Sequence, residues 1–209
     1  MIPSSQIRQY LEEKAERHPR YFSSRLKEGD LVARSLGKDS NNPLAGPKDF
    51  YLIDSIDFPT ANNVEAFRYI NKRIKSKPRV ISVIIDFWIV MKYSDIKDDS
   101  LQVPFSRAVN FGVGYCLEKS ILNQIMQQER EDIFFVLGDY ANGGHAFNIA
   151  FAEDQPHISD CSVGMSLDGN IETALPYCTP IMGLDEGTYP HGILVDNDMH
   201  SVFGKHFIY

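Results

Sequence analysis

Cysteine is scarce in this chain: three residues in 209, with no Cys-x-x-Cys pair. That excludes a disulfide framework, and an odd, sparse count suits a reducing compartment. Basic charge is also short. Lys and Arg number 21 against 28 Asp and Glu, for a formal charge of -7. No basic stripe offsets that balance, so nucleic acid is not an expected partner. The densest basic stretch, Asn71 to Arg79, reads as the solvated end of a helix. Long hydrophobic runs are missing too: nothing approaches the roughly twenty apolar residues of a membrane span. The longest run, Val80 to Met91, is β-branched and broken by Ser82 and Asp86, and it reads as buried strand. The first residues lack the charged start and apolar core of an ordinary signal peptide. The expected location is the cytoplasm, or a host cell reached by a specialised secretion system. Gly112 and Gly114 precede no Lys-Ser/Thr pair, so there is no phosphate-binding loop and no cofactor is expected. Repeats, heptads and low-complexity tails are absent as well, and the pattern sets no oligomeric state.

What is present suffices for a core. The apolar fraction is 43%, with 13 Phe and 10 Tyr, which predicts one domain over residues 1–209. Within it, 1–48 forms an N-terminal helix and a long polar loop, and 49–209 forms the main core. Ser4 or Ser5 caps a first helix to about Glu16, with Ile7, Leu11 and Ala15 on one face. Gly29 to Asp49 reads as loop and Phe50 to Asp54 as a short strand. Asn62 or Asn63 caps a helix over Val64 to Ser76 that buries Phe67, Ile70 and Ile74. The stretch from Ser106 becomes clearly helical only after Gly114. Ile133 to Leu137 reads as a strand, and Ala146 to Ala152 with His157 to Cys161 as a hairpin. Gly187 to Tyr209 reads as further short strands. Helices first, then mostly antiparallel strands, give an α+β class.

Three residues stand where chemistry would be placed. Cys116 follows the glycine-broken loop Asn110-Phe-Gly-Val-Gly-Tyr and opens a helix. A helix N-terminus favours thiolate through its dipole and unpaired N–H groups. Cys116 lines up with Ser120, Asn123 and Gln127, so the thiol is expected on a polar, unburied stripe, opposite Leu117, Ile121 and Ile125. His145 follows Gly143-Gly144 at the start of the alternating run to Phe151. Adjacent glycines permit close approach of a substrate or another backbone. Asp160 ends the next strand, where it could orient the imidazole. A hairpin turn centred on Asp154-Gln155 would set Asp160 opposite Ile149, so a triad then needs a bulge or an earlier turn.

The block Gly143-Gly-His-Ala-Phe-Asn-Ile, followed by Ile158-Ser-Asp-Cys-Ser-Val-Gly164, resembles the His and Asp strands of bacterial papain-like toxins and type III effector proteases. It is also similar to transglutaminase and arylamine N-acetyltransferase cores. The resemblance spans residues 110 to 164, about a quarter of the chain. It implies a papain-like core with a cysteine-headed helix on an antiparallel sheet. It further implies a Cys116-His145-Asp160 triad, Asn110 as an oxyanion donor where Gln is usual, and a host or target protein as substrate. The activity so implied is a thiol protease or glutamine deamidase. Leu117 departs from the small or aromatic residue common after the papain nucleophile.

Rival constellations are weaker. His145, Asp160 and Cys178 follow the order of YopJ-type acyltransferases, but Pro176 and Pro180 deny Cys178 a helix. Ala61, at another helix start, marks where a substituted nucleophile could stand. Asp196, Asp198 and His200, with His191, could hold a cation, though their spacing fits neither an EF-hand nor His-Glu-x-x-His, and a polar turn is the expected reading. A reading from another class is an acidic, non-enzymatic protein that covers a basic partner surface.

Overall fold

The computed structural model describes residues 4–17, 19–34, 49–54, 57–75, 88–97, 100–112, 114–140, 143–159 and 161. The class is α+β. Helix α1 (Ser4–Arg17) leads to strands β1 (Phe22–Ser23), β2 (Leu31–Ala33) and β3 (Asp49–Leu52). Helix α2 (Asn63–Arg73) follows, then residues 88–93, a helical segment taken as α3. Strands β4 (Asp95–Lys97) and β5 (Ser100–Pro104) precede helices α4 (Phe105–Phe111) and α5 (Cys116–Gln127). Strands β6 (Asp132–Tyr140), β7 (Gly143–Ala152) and β8 (Gln155–Ser159) complete the described elements.

Two four-stranded sheets result. The first, in the order β1-β6-β7-β8, is antiparallel throughout. The second, β2-β3-β5-β4, is mixed, because β3 and β5 run parallel. The first sheet carries helices on both faces. On one side Arg8 of α1 lies 4.2 Å above the Phe151 ring and pairs with Asp132 and Asp154. On the other lies α5, buried along 119–127.

Local sequence explains the starts of these helices. Asn62 accepts from the Glu65 N–H at 3.0 Å while Glu65 accepts from the Asn62 N–H at 3.2 Å, a reciprocal cap that fixes where α2 begins. Its buried residues are Ala66, Phe67 and Ile70, with Ile74 just beyond its end. Pro104 cannot cap α4 with a side chain, and Asp54 does so from outside, taking the Ser106 N–H at 2.8 Å and the Ser106 hydroxyl. A cap of this kind contributes about 1 kcal/mol.

Three expectations change. Residues 88–93 are helical rather than strand: Ile89 and Val90 are buried while Trp88 and Met91 are exposed, a helical alternation that β-branched composition concealed. Residues 80–87 lie outside the described region. Leu31–Ala33, read as loop, pairs with Phe50–Leu52 as an edge strand. Phe105–Phe111 is a helix of its own, ended by Gly112 at φ 73°.

Burial also leaves a titration signature. Tyr21 is 9% exposed, and its desolvation raises the phenol above the ordinary value of 10.0, with the Arg20 charge opposing. The folded state therefore favours the neutral phenol. Its contribution is complete below about pH 10 and is lost as pH rises through the higher folded value. Urea unfolding of the native chain and Tyr21→Phe across alkaline pH should show the steeper loss in the native chain. Parallel losses would refute the linkage.

Candidate active site around Cys116

The stripe headed by Cys116 is polar, as its spacing requires, but it is not solvated. Ser120, Asn123, Gln124 and Gln127 are each 0% exposed. They face the antiparallel sheet. The Ser120 hydroxyl donates to the Ala146 carbonyl at 2.8 Å. The Asn123 amide donates to Asn148 Oδ1 at 3.0 Å and to Ser159 Oγ at 2.9 Å. Asn148 returns bonds to the Ser120 carbonyl at 3.2 Å and to Gln124 Oε1 at 3.3 Å. Gln124 donates to the Ile133 carbonyl at 2.8 Å and to that of Ser24 at 3.0 Å. Leu117, Ile121, Leu122, Ile125 and Met126 take the remaining sides of α5 and are equally buried. The expectation of an unburied polar stripe is thus overturned. Helical periodicity groups residues on a face but does not say whether water or a sheet meets that face.

This interlock fixes the axial position of α5. Ser120 meets Ala146, and Asn123 and Gln124 meet Asn148. Four helix residues rise about 6 Å, and two strand residues about 6.6 Å, so helix and strand advance in step. Cys116 stands one turn before Ser120, toward the Gly143 end of β7 rather than its Ala152 end. Cys116 is half-buried and packs against the core.

The loop before the thiol is pinned. A Cβ on Gly114 would lie 2.9 Å from the Glu118 Cβ and 3.0 Å from the Ile74 side chain, so only glycine fits. The Gly112 carbonyl accepts from the Lys75 N–H at 2.9 Å. Glu118, at the third helical position, takes the Tyr115 N–H at 2.7 Å and the Tyr51 hydroxyl at 2.6 Å. It ties the start of α5 to the mixed sheet. As the first helical residue, Cys116 has a backbone N–H with no acceptor inside the helix.

No family model, curated protein or solved structure matches this chain.

Cys116 opens α5, which packs on β6 and β7. His145 pairs with Gly138 in β7. Position 145 has the parity of Phe147, Ile149 and Phe151, whereas Ala146 and Asn148 belong to the row that meets α5. Asp160 lies outside the described residues. The hairpin turn falls on Glu153 and Asp154, both with positive φ (49° and 61°), as in a type I′ turn. It is earlier than a turn on Asp154-Gln155, and Ile149 is paired with Ile158. Asn110 is exposed near the end of α4, and its Oδ1 accepts from Arg73.

The rivals separate as well. Ala61 is 5% exposed and its N–H bonds the Met126 carbonyl, at the far end of α5 from Cys116. Cys178, Asp196, Asp198, His191 and His200 lie outside the described residues. Among the described residues no helix is long and apolar enough to cross a membrane. Sequence reasoning missed Asn148 and Ser159. Their signal was two polar residues in otherwise apolar strand runs, opposite a helix with its own amide stripe.

Proposed function

We propose that this chain is a cysteine-dependent hydrolase of papain-like or transglutaminase-like type, a protease or glutamine deamidase acting on a protein substrate. What supports the reading is Cys116 at the N-terminus of a buried helix whose side-chain hydrogen bonds tie it to the strand that carries His145.

In this mechanism the Cys116 thiolate attacks an amide carbonyl carbon. The Cys116 N–H and Asn110 stabilise the oxyanion. The C–N bond breaks, and His145 gives the leaving amine or ammonia the proton it took from the thiol. Water then attacks the thioester, His145 accepts its proton, and a carboxylate leaves with the thiolate restored. Asp160 orients the imidazole. The mechanism requires the chain at Gly143-Gly144 to turn position 145 out of the Phe147 row. Two adjacent glycines at a strand start permit that departure.

Incubation with a target-cell lysate, followed by mass spectrometry, tests the reaction class. A new chain terminus marks a protease, and a gain of about one dalton marks a deamidase, both from the same thioester. A transferred acyl group or a crosslink overturns the hydrolase assignment.

A further inference from the structure

A surface that the mechanism leaves unused includes Phe111, five residues before the thiol. Trp88 is 41% exposed, Met91 69% and Phe111 38%. The Trp88 ring centroid lies 5.0 Å from that of Phe111 and 5.8 Å from that of Tyr93. Two cations border these rings. Lys92 Nζ sits 4.6 Å from the Trp88 ring and 5.3 Å from the Tyr93 ring, and the Arg107 guanidinium lies 5.1 Å from the Tyr93 ring. Both cations are exposed, and among the described residues neither has a carboxylate partner. Large exposed aromatics gathered with Met and Arg are the composition of a contact surface, not of a solvated one.

Its place in the chain links it to the site. Phe111 precedes Cys116 by five residues, which span at most about 17 Å even fully extended. The intervening loop is fixed on residues at and just past the end of α2, through Arg73 to Asn110 and Lys75 to Gly112. A chain held on the patch is therefore held at a set distance from the thiol. The local charge also runs against the whole: the protein carries -7, yet among the described residues the charged groups that lie against these rings are Lys92 and Arg107. Charge complementarity selects an acidic occupant, and the rings select one with apolar side chains.

We infer that the Trp88–Tyr93–Phe111 face, bordered by Lys92 and Arg107, is the docking surface for an acidic, apolar-bearing segment of the protein substrate. The inference rests on the hydrolase reading above and supplies its substrate preference. The exposed Arg107 guanidinium and Lys92 ammonium bind the carboxylates of the segment. Met91, Trp88 and Phe111 cover its apolar side chains. The net acidity of the rest of the protein repels acidic chains elsewhere, so such segments are held at this one face.

Trp88 is the only tryptophan in the chain, so intrinsic emission reports on the patch without a label. The probe is a short blocked peptide alternating Glu and Leu, titrated into the Cys116→Ala full-length chain. Saturable change in Trp88 emission is expected, weakened by added salt. The exposed pair of reversals Lys92→Glu and Arg107→Glu should raise the Kd about tenfold or more, with the far-ultraviolet dichroism unchanged. The Lys–Leu counterpart peptide should leave the emission unmoved. Silence with the Glu–Leu peptide, equal binding of the Lys–Leu peptide, or indifference to the double reversal each overturns the proposal. So does a stronger response to phosphatidylserine vesicles than to the peptide, which would make the face a membrane contact. Alkylation of Cys116 in the native chain is read separately. Peptide binding beside an inert thiol overturns the hydrolase reading while leaving the docking surface standing. A reactive thiol without peptide binding does the reverse.

Discussion

Cys116→Ala is expected to lose turnover by about 10⁴-fold or more, as removal of a nucleophile does in other hydrolases, while remaining folded. The two halves of that expectation come from the same geometry. The side chain is half-buried at the first position of α5, so losing one sulfur atom removes little packing. The amides that hold the helix begin a turn later and are untouched. His145→Ala should lose a comparable factor. The double variant should be no worse than the poorer single one, because nucleophile and base act as one unit. Iodoacetamide labelling at neutral pH with peptide mapping supplies an independent measure: Cys116 should react and Cys161, 1% exposed, should not. Full activity or full cellular effect in Cys116→Ala would refute the assignment. Cys178 would then be the next residue to test. Ala61 is buried against the opposite end of α5.

Much of the frame was legible because it depends on near neighbours in sequence. The Asn62–Glu65 cap, the apolar spacing of α2 and α5, and the β6 run are all local signals. So was the thiol at a helix start, because glycines at 112 and 114 interrupt one helix before the next. The failures share a cause: they concern what a face meets, which is a tertiary fact. The amides of α5 read as a solvated stripe because polar residues at helical spacing usually meet water. They meet Asn148 and Ser159 instead. Residues 88–93 read as strand because β-branched composition favours sheet, yet the split between buried Ile89 and Val90 and exposed Trp88 and Met91 is helical. The earlier hairpin turn followed from two residues, Glu153 and Asp154, accepting positive φ where Gly or Asn is the usual sign.

The amide cluster carries the second large effect. Asn123→Ala should destabilise the protein by about 3–5 kcal/mol, a size reserved for buried networks and cavities. The variant deprives three buried groups at once: Asn148 Oδ1, Ser159 Oγ and the Gln127 amide, which donates to Asn123 Oδ1 at 2.5 Å. A buried group that loses its bond costs up to about 1–3 kcal/mol, and the further interactions of Ser159 and Gln127, with water entering the vacated space, recover part of the sum. Asn148→Ala takes the shared bond and also removes the bonds to the Ser120 carbonyl and Gln124 Oε1. Because the two variants remove the same contact, the double variant should cost less than the sum of the singles. A coupling of about 1–3 kcal/mol is expected for residues within one network. Against a total stability of about 5–15 kcal/mol, either single loss lowers the midpoint of urea unfolding well beyond error. The cluster should also matter to the thiol. An apolar interface would let α5 slide along β7, whereas these directional bonds fix Ser120 and Asn123 against Ala146 and Asn148. Asn148→Ala, assayed at a temperature where it is still folded, should therefore lose activity and show altered Cys116 alkylation. Additive singles, or a loss below about 1 kcal/mol, would show that the amides do not act as a network.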